Sequence, residues 1–294
     1  MFNINMRANQ ERFLEKLLAT IIRHNVTVEV NDWLHEKAAQ IRNEQMATQL
    51  NLAFAAVPRK TGKKVVEVTK EEQADLATVH AHFTILDWMI DRLCRVWLLL
   101  QVEPTDKENY FKKLENLFLA AEMNELVALY SALPGLHFQE DWQKQCAEGI
   151  RSNIGIVLEA IMYNNPYPYK YLNEQAWNQL VLKAFFTDKD VKRIIGLDER
   201  ANKELAAILI DYASERWAAQ RIVNPQLWRL ITKFIDGNNF SSIQKAFSSL
   251  NLLEKKAAAL AALNSNFQPA KELIDSAPDL KLAIIENKLN WDSL

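Results

Sequence analysis

The sequence predicts an all-α fold of stacked antiparallel helix pairs, with a HEAT-like, α-solenoid character clearest in the C-terminal quarter. Three observations carry that expectation. Apolar residues recur on a helical period through most of the 294 residues. Six glycines and eight prolines are too few for the many turns of an all-β chain. The pattern Asn239-Phe240 with Ile243 and Phe247 returns as Asn266-Phe267 with Ala270 and Ile274, and the helix near 252–264 has its counterpart near 278–287. A helix pair per repeat of this length describes a short α-hairpin array.

Composition sets the outer bounds. Hydrophobic residues make up 49% of the chain, and eight Trp with thirteen Phe supply bulky core groups. A net charge of -2 offers no general attraction to nucleic acid or to an anionic membrane. Cys94 and Cys146 fit no metal-ligand spacing and read as reduced core thiols of a cytosolic protein. The first ten residues hold no apolar h-region, so no secretory leader is expected. The longest apolar run, Val96-Trp-Leu-Leu-Leu100, is far shorter than a membrane span and follows Arg92 and Arg95. The expectation is a cytoplasmic protein without direct membrane insertion and without a nucleic-acid partner.

Taken in order, Phe13, Leu17, Leu18 and Ile21 place a first helix over 9–24. Asn31-Asp32 reads as the cap of a second, running through Leu50 and Phe54 to a stop at Pro58. Arg59-Lys-Thr-Gly-Lys-Lys64 has the composition of a phosphate loop but neither its upstream glycine nor its preceding strand, which makes it a solvated connector. One long helix is expected over 71–101. His80, Asp87 and Asp91 share a face of it and form a conceivable metal set. A hydrated face with an Asp91–Arg95 pair is the plainer reading, and no metal is expected. Pro104-Thr-Asp opens helices at 106–120 and 122–132, ended by Pro134-Gly135.

A second long helix is expected over 145–163. Ile150, Ile154, Val157, Leu158 and Ile161 share one face, and Glu148, Ser152, Gly155 and Glu159 lie opposite as a narrow acidic strip. Pro166-Tyr-Pro-Tyr-Lys-Tyr171 follows as a stiff turn, suited to a packed corner or to stacking on a flat ligand. Asn173 caps a helix over 173–186, with Trp177, Leu180, Val181 and Ala184 inward. The helix over 201–219 turns Leu205, Leu209, Tyr212 and Ala213 inward and places Arg216 among them. A buried arginine needs a carboxylate, and Glu148 or Glu159 are the candidates. The chain divides on this reading into 1–105, 106–236 and 237–294, joined as one continuous domain.

Catalytic signatures are missing: there is no nucleophile elbow, complete phosphate loop, His-Glu-x-x-His or dinucleotide fingerprint. No cofactor is expected. The positive candidate is a polar set in the middle third: Glu148, Arg151, Asn153, Glu159, Asn165, Asn178, Arg200, Asp211, Glu215 and Arg216, with Tyr167 beside it. Eleven residues on one helix separate Glu148 from Glu159 by about 16 Å, too far for acid/base work on a single bond. The set fits a buried network that fixes helix register, a groove for a ligand or partner, or a catalytic site.

The middle third also carries a resemblance. Glu125-Leu-Val-Ala-Leu-Tyr-Ser-Ala-Leu-Pro134, Ala147-Glu-Gly-Ile-Arg-Ser-Asn153 and Asn165-Pro-Tyr-Pro168 stand in order. Ala176-Trp-Asn-Gln-Leu-Val-Leu-Lys-Ala184, Gly196-Leu-Asp-Glu-Arg-Ala-Asn202, Asp211-Tyr-Ala-Ser-Glu-Arg-Trp-Ala-Ala219 and Pro225-Gln-Leu-Trp-Arg-Leu230 complete the run. Together they resemble the EboA family of metabolite traffic proteins, strongly over 120–235 and more loosely at 88–100 and 291–294. The longer, Lys-rich 59–72 segment departs from the family. The resemblance implies a bacterial protein encoded beside a prenyltransferase-like membrane protein, a metal-dependent hydrolase-like protein and a sugar-phosphate-cyclase-like protein. The role it implies is moving secondary-metabolite precursors toward the periplasm. It transfers no catalytic residue. The expectation is a non-enzymatic helical protein that binds a small molecule, partner proteins of that cluster, or both. The alternatives are an enzyme for an aromatic or isoprenoid metabolite using Glu148 or Glu159 with Arg151, and a pure protein–protein scaffold.

Overall fold

The computed structural model describes residues 2–79 and 82–294, with side chains described over 12–78 and 82–294. The chain folds into two compact units, Met1–Ala176 and Trp177–Leu294. Among the described residues every regular element is helical, and the extended pairing is confined to isolated bridge residues such as the antiparallel Val65 to Met89. The all-α class is therefore what the structure shows.

The first unit contains α1 (Phe2–Asn25), α2 (Val28–Asn43), α3 (Thr48–Thr61), α4 (Lys70–Val79) and α5 (Ile90–Leu99). It continues with α6 (Lys107–Ala120), α7 (Met123–Ala132), α8 (Gln143–Ile150), α9 (Gly155–Met162) and α10 (Pro166–Tyr171). Helix α5 is its hub. It packs against α1, α2, α3 and α7, and each of its residues except Arg92 is buried. Inside it lies Arg95, 1% exposed. Its guanidinium is 3.4 Å from an Asp91 oxygen and 3.5 Å from a Glu125 oxygen, and its Nε donates to the Phe54 carbonyl at 3.0 Å.

That last contact has a cause in the sequence. Pro58 lies inside α3, and a proline has no N–H to offer the carbonyl four residues earlier. The residue four before Pro58 is Phe54. Arg95 thus supplies the donor that Pro58 lacks, and its guanidinium also lies 5.3 Å from the Phe54 ring centre. Burial lowers the Arg95 pKa, and Glu125 and Asp91 act against that shift. The Asp91–Arg95 pair expected on a hydrated face is therefore a buried one.

Three expected helices divide differently. The 31–58 helix is two, because Glu44 folds back and its carboxylate accepts the Gln49 and Leu50 amides at 2.7 and 3.1 Å, capping α3. Thr27 rather than Asn31 caps α2, accepting from Val30. Pro58 does not end α3, which runs on to Gly62 at φ 70°. The 71–101 helix is likewise α4 and α5, with the Thr84 hydroxyl taking the Leu86 amide in a local turn that competes with helix. The Val66 amide then reaches the Trp88 carbonyl at 2.9 Å, and the Ile90 amide reaches Lys64 at 2.8 Å. The 64–68 stretch is pinned from its other side by Asn25, which exchanges hydrogen bonds with the Glu67 backbone at 2.8 and 2.9 Å.

The helix expected over 145–163 is α8 and α9. The Ser152 hydroxyl accepts the Ile154 amide at 3.1 Å between them, and the acidic strip is interrupted at that turn. Gly149 explains why the two helices sit so close: a Cβ there would stand 2.5 Å from Tyr130 Cζ and 2.6 Å from Ile161 Cδ1.

The second unit holds α11 (Glu174–Phe186) from Trp177 onward, α12 (Lys203–Ala218) and α13 (Gln226–Ile231). It ends with α14 (Phe240–Phe247), α15 (Leu252–Asn264), α16 (Gln268–Leu273) and α17 (Pro278–Ile285). Here α15 is the hub, in contact with α13, α14, α16 and α17. Ala257, Ala258, Ala259, Ala261 and Ala262 are all fully buried, and small side chains at a contact let helix axes approach closely. The recurring positions Ile243, Phe247, Ala270 and Ile274 are buried, and Phe240 meets its counterpart Phe267 edge-on at 5.5 Å.

Candidate functional site

In the second unit, α11 and α12 are tied together by two contacts. Asn178, 2% exposed, exchanges amide hydrogen bonds with Asn202, the N-cap of α12, at 2.8 and 3.3 Å. The Tyr212 hydroxyl donates to the Phe185 carbonyl at 3.1 Å. Helix α11 stops where Asp188 adopts a left-handed conformation at φ 51° and the Lys189 amide returns to the Ala184 carbonyl.

Alongside these ties runs a groove of about 460 Å³. Gln179, Leu182, Lys183 and Phe186 line it from α11, and Ile208, Asp211, Tyr212 and Glu215 from α12. Each set occupies positions i, i+3, i+4 and i+7, one stripe per helix. Leu182, Phe186, Ile208 and Tyr212 make an apolar bed, and the other four put both signs of charge and an amide around it. Phe186 is 69% exposed, an unusual place for a ring of that size. Burial raises the Tyr212 pKa, with Arg216 acting in the other direction, so the hydroxyl remains a neutral donor. The volume lies within the range of small-molecule sites.

Of the residues proposed from sequence, Asp211 and Glu215 line this groove. Arg216 is half-exposed, and its guanidinium donates to the Ile222 carbonyl at 3.0 and 2.8 Å. It is not the buried arginine in need of a carboxylate that its helical position suggested. A backbone carbonyl nearby in sequence satisfies it, and among the described residues the buried arginine is Arg95, in the first unit. Asn178 serves the Asn202 cap, and Arg200 lies over the Trp177 ring at 4.7 Å. Asp198 receives two hydrogen bonds from Arg229, one of them at 2.7 Å from Nε.

The remaining candidates belong to the first unit. Glu148 pairs with Arg151 at 2.7 Å, and both side chains are about two-thirds exposed, at 64% and 65%. Asn153 is exposed and Glu159 half-buried on α9. Asn165 is buried as the cap of α10, accepting the Tyr167 amide and donating to the Tyr130 and Ala160 carbonyls. The fully buried Tyr167 donates to the Gln139 carbonyl at 2.6 Å, and burial pushes its pKa up. The Pro-Tyr-Pro stretch is therefore a short capped helix rather than a turn. Tyr167 and Tyr171 pack at 5.0 Å and both bond to Gln139, while Tyr169 is the more exposed ring at 37%.

Among the described residues no group of three or more His, Cys, Asp or Glu is placed to hold a metal. Asp87 is exposed and Asp91 buried against Arg95, while His80 lies outside the described residues. Cys94 and Cys146 are buried free thiols, pushed above their usual pKa by burial. A second cleft, of about 290 Å³ in the first unit, is lined by two arginines and two glutamates among others. Its Arg42 is already engaged by Glu15 at 2.9 Å and by Gln101.

The sequence reading missed Gln179, Leu182, Lys183, Phe186, Ile208 and Tyr212 as lining residues. A signal existed. Helix α11 carries its inward stripe at 177, 180, 181 and 184 and a second, half-apolar stripe at 179, 182, 183 and 186. A helix that needs only one buried face has no use for the second.

The family model described as metabolite traffic protein EboA matches residues 14–232, which contain the whole groove. No curated protein and no solved structure matches the chain. No helix among the described residues is long and apolar enough to cross a membrane.

Proposed function

Because the chain belongs to the EboA family of metabolite traffic proteins, we propose that it acts without catalysis, in the cytoplasm, by holding the apolar body of a metabolite precursor in the groove between α11 and α12. The observation that carries this reading is the pair of facing stripes, with four apolar side chains between charged and amide rims. Such a bed suits an aromatic or isoprenoid body, and the rim suits its polar end. A bound apolar body would also cover Phe186. The cargo would then pass to the membrane or hydrolase-like proteins whose genes accompany the family.

The acid/base alternative draws less support. Glu148 is solvent-exposed in an ion pair with Arg151, and a general acid or base works best where water is excluded and its pKa is tuned.

Titration with the neutral fluorophore N-phenylnaphthylamine tests the groove. Fluorescence should rise on addition of the protein, and Ile208→Asp should weaken binding by about tenfold or more, since each buried aliphatic side chain contributes roughly 1.5–3 kcal/mol. Phe186→Ser should weaken it comparably. Unchanged binding in both variants, or none to the wild-type chain, would remove the groove from consideration.

A further inference from the structure

Beyond the groove, and outside the residues matched by the family model, the turn entering α15 presents leucines to water. Leu250 is 104% exposed, Leu252 59% and Leu253 47%. Three large apolar side chains within four residues form a concentrated exposed apolar feature, which in soluble proteins marks an interaction surface.

The turn is firmly built. The Asn251 side chain accepts the Leu253 and Glu254 amides at 3.0 and 3.2 Å, and the Asn251 amide donates to the Ser249 hydroxyl at 3.1 Å. That hydroxyl donates to the Glu254 carboxylate at 2.7 Å, which also takes the Trp217 indole N–H at 2.8 Å. Glu254 is 4% exposed, so the leucines stand on a buried polar anchor.

Along the chain between Asp236 and Glu272 the exposed charge has one sign. Between Gly237 and Lys271 the lysines are Lys245, Lys255, Lys256 and Lys271, and the only acidic residue is the buried Glu254. Lys245 and Lys255 lie over the Trp217 and Phe247 rings at 4.4 and 5.7 Å. The net charge of -2 averages over this local excess and conceals it.

We propose that this turn is a docking point for an anionic lipid bilayer, with Leu250, Leu252 and Leu253 entering the acyl boundary and Lys245, Lys255 and Lys256 meeting headgroup phosphates. The shape favours a bilayer over a protein partner. Leu250 stands clear of its own fold, and a protein would need a matching cavity, whereas a bilayer accepts a protruding apolar tip anywhere on its surface. Lysines next to such a tip place their charge at headgroup depth while their stems remain apolar. Three leucines give a shallow, reversible contact of the kind that needs the electrostatic component as well.

Sedimentation of the full chain with vesicles tests this. Binding is expected to phosphatidylcholine vesicles containing about one-third phosphatidylglycerol, to be absent with phosphatidylcholine alone, and to fall with added salt. The triple variant L250S/L252S/L253S should bind about tenfold or more weakly. K245Q/K255Q/K256Q should lose roughly fivefold per lysine. Circular dichroism and thermal melting of the leucine variant should match the wild type, because those side chains are exposed. Failure of the wild type to sediment with anionic vesicles overturns the proposal, as does binding that the leucine variant retains in full. A self-associated wild type that becomes monomeric in the leucine variant, without vesicle binding, assigns the turn to a second copy of the chain and overturns it as well. Neither result bears on dye binding in the groove.

Discussion

The two units are each built around one buried helix, and they solve the problem of burying it in opposite ways. Helix α5 fills its surroundings with bulk, placing Leu93, Trp97, Leu98 and Leu99 in the core, and accepts a guanidinium in the middle. Helix α15 does it with alanine, so that backbone nearly meets backbone and the one charged side chain inside, Glu254, lies in the first turn. A bulky hub can absorb an imperfection in a neighbour: Arg95 reaches the carbonyl that Pro58 leaves without a donor. An alanine hub has no such reach and depends on tight fit alone. The first unit should therefore fail by loss of charge compensation, and the second by gain of volume.

The largest effect is expected at Arg95. Arg95→Met leaves Asp91 and Glu125 without their cation and the Phe54 carbonyl without its donor, which should cost the first unit about 3–5 kcal/mol in urea denaturation. Adding Pro58→Ala restores a backbone N–H to Phe54 and should recover about 1 kcal/mol of that loss. The recovery should be larger than any gain from Pro58→Ala alone. Equal effects of Pro58→Ala in both backgrounds would break the link between the two residues.

Overpacking is the corresponding test of the second unit. Ala261→Leu should destabilise it by about 3 kcal/mol, the upper end of what added volume costs in a tight core, and should leave the first unit's transition in place. A loss below about 0.5 kcal/mol, the range of surface substitutions, would mean that α15 is not tightly held.

A smaller effect depends on pH and belongs to the first unit. Burial pushes Tyr130 up to about 12 from the usual 10.0. Its pKa is thus raised above the unfolded value, so its contribution is fully present below pH 10 and is lost as pH rises through 12. The loss amounts to roughly 3 kcal/mol at the alkaline end. Tyr130→Phe should flatten that part of the stability profile between pH 10 and 12. Because Tyr167 is raised as well, some alkaline slope should persist.

Much of the secondary structure was legible, for local reasons. Asp106 accepts the Asn109 amide at 3.1 Å, Asn173 the Ala176 amide at 2.9 Å and Asn202 the Leu205 amide at 2.8 Å. A cap of this kind depends on residues three apart in the chain. The breaks were harder to see, because Ser152, Thr84 and Glu44 interrupt apolar periods that would otherwise continue. Each does so by bonding a backbone amide nearby. A hydroxyl or carboxylate that turns the chain is the same residue as one that points to water, and only packing distinguishes the two. The candidate site was half legible for a related reason. Asp211 and Glu215 stand out as polar groups in the sequence, while the second stripe of α11, at 179, 182, 183 and 186, was not recognised as a face.

The sequence by itself determined that the chain is helical, that helices would start at Asp106 and Asn173, and that it resembles the family whose model matches 14–232. These follow from composition, short-range spacing and ordered segments, all of which are local. Only the tertiary structure decided which arginine is buried. Spacing puts Arg216 on an apolar helical face and Arg95 on the polar face it shares with Asp91, yet Arg95 is the buried one, because burial depends on what other helices bring to that face. At Arg95 they bring Phe54 and Glu125, and Asp91 joins from the same helix. At Arg216 a nearby carbonyl and partial exposure to water suffice.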